Sequence, residues 1–85
     1  MTKVFATQAW EDYLYWQEHD KKILKRINQL IKDISRDPFR GLGDPEPLRY
    51  NWSGYWSRRI TREHRLVYKV VDNEIRIAQC RYHYS

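Results

Sequence analysis

The segment from Lys21 to Arg36 carries the feature that most restricts this chain. Ile23, Leu24, Ile27, Leu30, Ile31 and Ile34 recur at helical spacing, with Lys21, Lys22, Lys25, Arg26 and Lys32 on or beside the opposite face. A stripe of that width must be buried, so the rest of the chain has to supply the surface that covers it. Asp20 stands where the helix should start, and Asp37-Pro38 where it should end, because the residue before proline is pushed out of the helical region.

Upstream, Lys3 to Phe5 reads as a short strand, and Thr7 as the N-cap of a first helix running to about His19. Trp10, Tyr13 and Leu14 would form its apolar face, with Glu11, Asp12 and Glu18 turned to water. Residues 38–48, PFRGLGDPEPL, hold all 3 prolines and read as a non-repetitive loop; Gly41 and Gly43 lack the third glycine of a dinucleotide fingerprint and the Gly-Lys-Ser/Thr of a P-loop. Beyond it lie strand candidates at Tyr55 to Thr61, Arg65 to Val71 and Glu74 to Tyr82. Their short links, at residues 62–64 and at Asp72-Asn73, make them antiparallel neighbours. The expected fold is α+β: two N-terminal helices packed on one face of a small, mainly antiparallel twisted sheet, in the order β-α-α-β-β-β, forming one domain over residues 1–85. The other sheet face is left to Arg, His and Tyr.

An 85-residue chain folds with a small core. Its 4 Trp, 7 Tyr and 2 Phe bury much area per residue and supply the density such a core needs. The single Cys80 excludes an internal disulfide framework and fits a reducing compartment. No stretch is long and apolar enough for a membrane span, and MTKVFATQAW lacks the apolar region of a secretion signal, so a soluble cytoplasmic protein is expected. With 16 Lys and Arg against 11 Asp and Glu, a net charge of +5 favours a polyanionic partner. Arg49, Arg58, Arg59, Arg62 and Arg65 fall among Tyr50, Trp52, Tyr55 and Trp56. Guanidinium forks grip phosphate and rings stack on bases, so this mixture suits an RNA-binding surface as well as a solvated sheet face.

His19, His64 and His83 lie far apart in sequence, without HExxH or paired-cysteine spacing, so no metal or other cofactor is implied. Cys80, inside an apparent strand, reads as buried and inert. What remains is acid and base chemistry from Glu46, the arginine cluster and His83, a set that suits RNA cleavage by the 2′-hydroxyl. Taken alone, each residue has a plainer reading: Glu46 as a solvated loop charge, Arg65 paired with Glu63, His83 at a fraying end. Periodicity does not decide between them.

The run Trp52-Ser-Gly-Tyr-Trp-Ser-Arg-Arg-Ile-Thr-Arg-Glu-His-Arg-Leu-Val-Tyr68, with Cys80-Arg-Tyr-His-Tyr84, closely resembles the YoeB family of toxin-antitoxin mRNA endoribonucleases in the RelE/ParE superfamily. AWEDYLYWQ, KRINQLIKDI and DPEPL are similar to that family's helices and catalytic loop, so nearly the whole chain is covered. The resemblance implies a toxin that enters the ribosomal A site and cuts translated mRNA. It also implies neutralisation by a YefM-type antitoxin, contact with operator DNA only through the antitoxin complex, and a homodimer as a common state. By position it makes Glu46 the general base, His83 the general acid and Arg65 the phosphate-stabilising arginine, with Tyr84 completing the site. Glu63 falls where an acidic residue orients that arginine, and Arg59 and Arg49 match cationic positions near the phosphate. The chain departs from the pattern at Arg49, where lysine is common, and at Ser85, beyond the tyrosine that often ends such chains.

Two other classes compete. One is a non-catalytic binder: a ParE-like toxin or a basic module for nucleic acid or antitoxin, which would have no reason to carry Glu46, Arg65, His83 and Tyr84 together. The other lays the helix from Lys21 to Arg36 on an anionic membrane; its apolar face is better explained as core.

Overall fold

A computed structural model describes residues 1–84 in the order β1 (Thr2–Phe5), α1 (Thr7–His19), α2 (Lys21–Arg36), β2 (Glu46–Pro47), a 3₁₀ turn (Tyr50–Trp52), β3 (Trp56–Arg59), β4 (Arg65–Val71) and β5 (Glu74–Gln79). Ser85 lies outside the described residues. The strands form one sheet in the order β1-β5-β4-β3-β2, antiparallel throughout except where β1 runs parallel to β5. The α+β architecture is thus as expected, with an added edge strand. Glu46 and Pro47, read as loop, pair with Ser57 and Trp56. Among the described residues no helix is long and apolar enough to cross a membrane.

Helix α2 is built as its period dictates. Ile27, Leu30, Ile31 and Ile34 are buried, Asp20 caps the start by accepting from the amides of Lys22 and Ile23, and Asp37 ends it before Pro38. Its stripe packs on Leu66, Tyr68, Ile75 and Ile77, the inward positions of β4 and β5. Asp72 and Asn73 both take positive φ, 51° and 61°, as a two-residue type I′ hairpin requires, which aligns β4 with β5.

Helix α1 departs from expectation. Its N-cap is Ala6, without a side-chain bond, so Thr7 is the first helical residue. The buried positions are Ala9, Asp12 and Trp16, while Trp10 and Leu14 stay exposed. Asp12 is inside because its carboxylate accepts from the backbone N–H of Cys80 at 3.0 Å and from Gln8 at 2.8 Å. The indole Nε1 of Trp16 donates to the carbonyl of Cys80 at 2.8 Å. Polar partners rather than apolar spacing therefore choose the face.

Strand β5 ends at Gln79, short of the expected Tyr82. A register shift opposite Val67 and Tyr68 leaves Ala78 without a partner, an irregularity that increases local twist. Cys80 then lies just past the strand, wholly buried, where desolvation pushes its thiol up to about 12. The inert reading of that cysteine is the one its surroundings support.

Arg58 overturns its placement in an RNA-binding cluster. On β3 it faces the helices, is fully buried, and pairs with Asp33 of α2 at 2.6 Å. Its remaining donors reach the carbonyls of Asp37, Arg40 and Leu42 and the hydroxyl of Tyr68. This guanidinium is the internal scaffold of the loop after α2.

Candidate active site

Strand alternation sets the site. On β3, Ser57 and Arg59 point away from the side taken by Arg58; Ser57 pairs with Glu46 of β2, and Arg59 with Arg65 of β4. The face opposite the helices therefore carries Glu46, Ser57, Arg59 and Arg65 side by side. The chain after Cys80 folds back over this face and adds His83 and Tyr84. One small cleft is lined by Glu46, Ser57, Arg59, Arg65, His83 and Tyr84, together with Gly43 and Asp44. It joins five of the seven residues singled out from the sequence.

Each side is fixed by backbone. Gly43 has φ 81°, and its carbonyl accepts from the amide of Arg59 at 2.6 Å. A Cβ there would lie 2.9 Å from Leu30 and 3.0 Å from the Arg59 carbonyl, so glycine lets the loop press against the sheet. On the other side the turn at residues 61–64 is closed by the Thr61 hydroxyl, which accepts from the amides of Glu63 and His64. The Arg65 guanidinium donates from one nitrogen to the carbonyls of Thr61, Arg62 and His64, at 2.8, 3.1 and 3.1 Å.

Carbonyls, not a carboxylate, therefore orient Arg65. Among the described residues Glu63 makes no ion pair with it. Glu63 is exposed and does not line the cleft; its charge acts on His64. Arg49 is also absent from this cleft and stands at a larger one beside it.

The tail is clasped to the same turn. The amide of Tyr82 donates to Nδ1 of His64 at 2.8 Å, and the amide of Arg65 donates to the carbonyl of Tyr82 at 3.0 Å. Gln79 adds bonds to the carbonyls of Arg81 and His83. Tyr82 takes φ 64°, a strained backbone that bends the tail toward the cleft. Desolvation foremost, then the charges of Arg81, His83 and Arg65, lowers the pKa of His64 despite Glu63, in keeping with a neutral ring accepting at Nδ1.

Sequence reasoning passed over His64, Ser57 and Asp44. Ser57 had a signal, since alternation with Arg59 assigns it the same face, whereas the clasp by His64 joins segments that no local pattern relates. Arg59 and Arg65 face one another on paired positions, a repulsive arrangement that an anion between them relieves. The cleft thus offers two cations, two carboxylates (Glu46 and Asp44), an imidazole and a phenol around one small space. Among the described residues no group of three or more His, Cys, Asp or Glu is placed to hold a metal ion.

The model of the YoeB-like toxin of bacterial type II toxin-antitoxin systems matches residues 5–84. The chain belongs to the YoeB toxin family. It is 62% identical over 84 residues to Toxin YoeB of Escherichia coli K12, covering 99% of this chain and 100% of that one. A YoeB-YefM complex from Staphylococcus aureus contains a chain that superposes with a TM-score of 0.93 at 53% identity, covering 99% of this chain and 98% of that one. A YoeB dimer from the same organism gives 0.93 at 54% identity, with the same coverage. This YoeB-family chain is accordingly a toxin of a type II toxin-antitoxin system.

Proposed function

We propose that this protein is a ribosome-dependent endoribonuclease that cleaves mRNA in the A site by transesterification. The observation that carries the reading is the convergence of Glu46, Arg59, Arg65, His83 and Tyr84 on one cleft. Glu46 takes the proton from the 2′-hydroxyl, whose oxygen attacks the adjacent phosphorus. Arg65, with Arg59 opposite, offsets the charge gathering on the phosphorane oxygens. His83 protonates the 5′ oxygen as its bond to phosphorus breaks, leaving a 2′,3′-cyclic phosphate and a 5′-hydroxyl. Tyr84 completes the wall against the phosphate, and Arg49 holds the neighbouring RNA backbone.

The reacting hydroxyl comes from the substrate, so the domain has only to orient the phosphate and place an acid, a base and a cation. Three carbonyls already hold Arg65 in place, which limits the reorganisation left for the transition state. A YefM-type antitoxin with an acidic and apolar segment fits the basic sheet face, reaching operator DNA through that complex, and a homodimer is the proposed free state. The cytoplasm is where such a substrate is met.

Mapping RNA ends in a translating extract tests the reading. Cuts within A-site codons that leave a 5′-hydroxyl are expected. A chain that leaves translated mRNA intact while binding ribosomes or nucleic acid would belong instead with the non-catalytic binders.

A further inference from the structure

A larger cleft of about 600 Å³ adjoins the small one, and Glu46 and Tyr84 line both. The added walls are Pro47, Leu48, Arg49, Tyr50, Asn51 and Trp52. The backbone here is a tight 3₁₀ turn, held by the amides of Trp52, Ser53 and Tyr55 donating to the carbonyls of Arg49, Tyr50 and Trp52. Trp52 is half-buried against Tyr55, ring centres 5.1 Å apart and edge-to-face. Tyr50 differs in kind.

Tyr50 is 89% exposed, the most exposed large hydrophobic residue among the described residues, and its φ is 56°. A bulky residue in the left-handed region is strained, and a ring left in water forfeits the gain of burial. The fold uses neither, since asparagine or glycine would make the same turn without strain. What the position gains is a flat aromatic surface lining a cleft that shares Glu46 and Tyr84 with the candidate catalytic groups. Arg49 stands beside it to meet a phosphate, and Asn51 offers a donor and an acceptor to a base edge.

We propose that Tyr50, with the wall formed by Leu48, Asn51 and Trp52, is a nucleobase subsite that stacks a base flanking the scissile phosphate of single-stranded RNA. This rests on the ribonuclease reading and adds to it a place where one flanking base is held. Stacking on an aromatic ring tolerates any base, so the subsite contributes grip and alignment, while Asn51 tilts the preference.

The test compares wild type, Tyr50→Phe and Tyr50→Asn in single-turnover cleavage on programmed ribosomes. The mRNAs carry either natural nucleotides or an abasic nucleotide at each position flanking the cut. For wild type, one abasic position should lower the rate at subsaturating toxin about tenfold, the scale of one base stacked on an aromatic ring. Tyr50→Phe should match wild type. Tyr50→Asn should lose the same factor on natural mRNA and nothing more on the abasic one, while its melting temperature stays level or rises because the strain is relieved.

Independent, multiplying losses from Tyr50→Asn and the abasic site would overturn the subsite, as would a Tyr50→Asn chain that cuts like wild type. A loss indifferent to the base and accompanied by a shift in sedimentation would overturn it in favour of a contact between copies of this chain. A wild type that cuts no mRNA overturns the ribonuclease reading first, and the subsite with it.

Discussion

The guanidinium of Arg58 lies 2.6 Å from the carboxylate of Asp33, sealed between helix α2 and the loop that leads to Glu46. Three loop carbonyls, from Asp37, Arg40 and Leu42, close over the same group, and the hydroxyl of Tyr68 donates to the Pro38 carbonyl beside it. The charge therefore organises a segment with little regular structure, and that segment places one wall of the cleft. Arg58→Ala should leave Asp33 with only the Leu42 amide and Arg36, unpair the carbonyls of Asp37 and Arg40, and cost about 3–5 kcal/mol, the usual scale for breaking a buried pair. A urea titration followed by circular dichroism would show it, and a variant with an unshifted midpoint would contradict this account.

Acid should open the same region. The Leu42 amide foremost, then Arg58 and Arg36, holds the Asp33 carboxyl at about 2 against the opposing effect of burial. A carboxyl with a depressed native pKa contributes stability that is present above its unfolded value of 3.8 and lost as pH falls through about 2. Between those values stability should fall with acid in the wild type and fall less steeply in Asp33→Asn. Parallel curves for the two proteins would exclude this linkage.

Chemistry and binding should separate by residue. Arg65→Ala and His83→Ala are expected to lower the single-turnover rate by about 10²- to 10⁴-fold, the range for a lost transition-state charge contact or proton donor. Ribosome affinity should change little, because the 16 Lys and Arg share the attraction for phosphate. Arg49→Ala, outside the small cleft, should weaken binding more than chemistry. Binding is measured on an uncleavable 2′-deoxy mRNA; wild-type rates at saturation for both Arg65→Ala and His83→Ala would remove the catalytic assignment.

His64 should act through the tail. Its lowered pKa means that the unfolded chain takes up the proton first, so the clasp on Tyr82 is fully present above about 6.5 and weakens as pH falls below it. Asparagine carries an acceptor where leucine does not. His64→Asn should keep most of the cleavage rate and lose the acid sensitivity of tail anchoring, read from amide exchange at Tyr82, whereas His64→Leu should lose about tenfold or more in rate at saturating toxin, as sub-ångström misplacement of a catalytic group does. Equal rates for the two variants would deny His64 a positioning role.

Helix α2 was legible in full because its stripe, Asp20 cap and Asp37-Pro38 stop agree with one another. The Asp72-Asn73 hairpin was legible for the same local reason. Helix α1 was misread because Asp12 serves a backbone amide 68 residues away, a debt that only the folded chain reveals. Arg58 was misread because charge in sequence says nothing about which side of β3 it falls on until the register with β4 is known. Side-chain chemistry brought Glu46, the arginine cluster and His83 forward, and resemblance, not periodicity, gave them roles and added Tyr84; the strand register then gave the physical reason that Glu46, Arg59 and Arg65 share a face, and the same register would have yielded Ser57.

Both backbone groups of Cys80 are held by side chains of α1, the amide by Asp12 and the carbonyl by Trp16. Those side chains belong to the helix layer, across the sheet from the cleft, yet they fix the point from which the tail bearing His83 and Tyr84 departs. In a genetic selection for harmless variants, Asp12 and Trp16 would therefore score beside the residues of the cleft itself. A map of such hits along the sequence would mark where the tail is anchored as clearly as where phosphate is met.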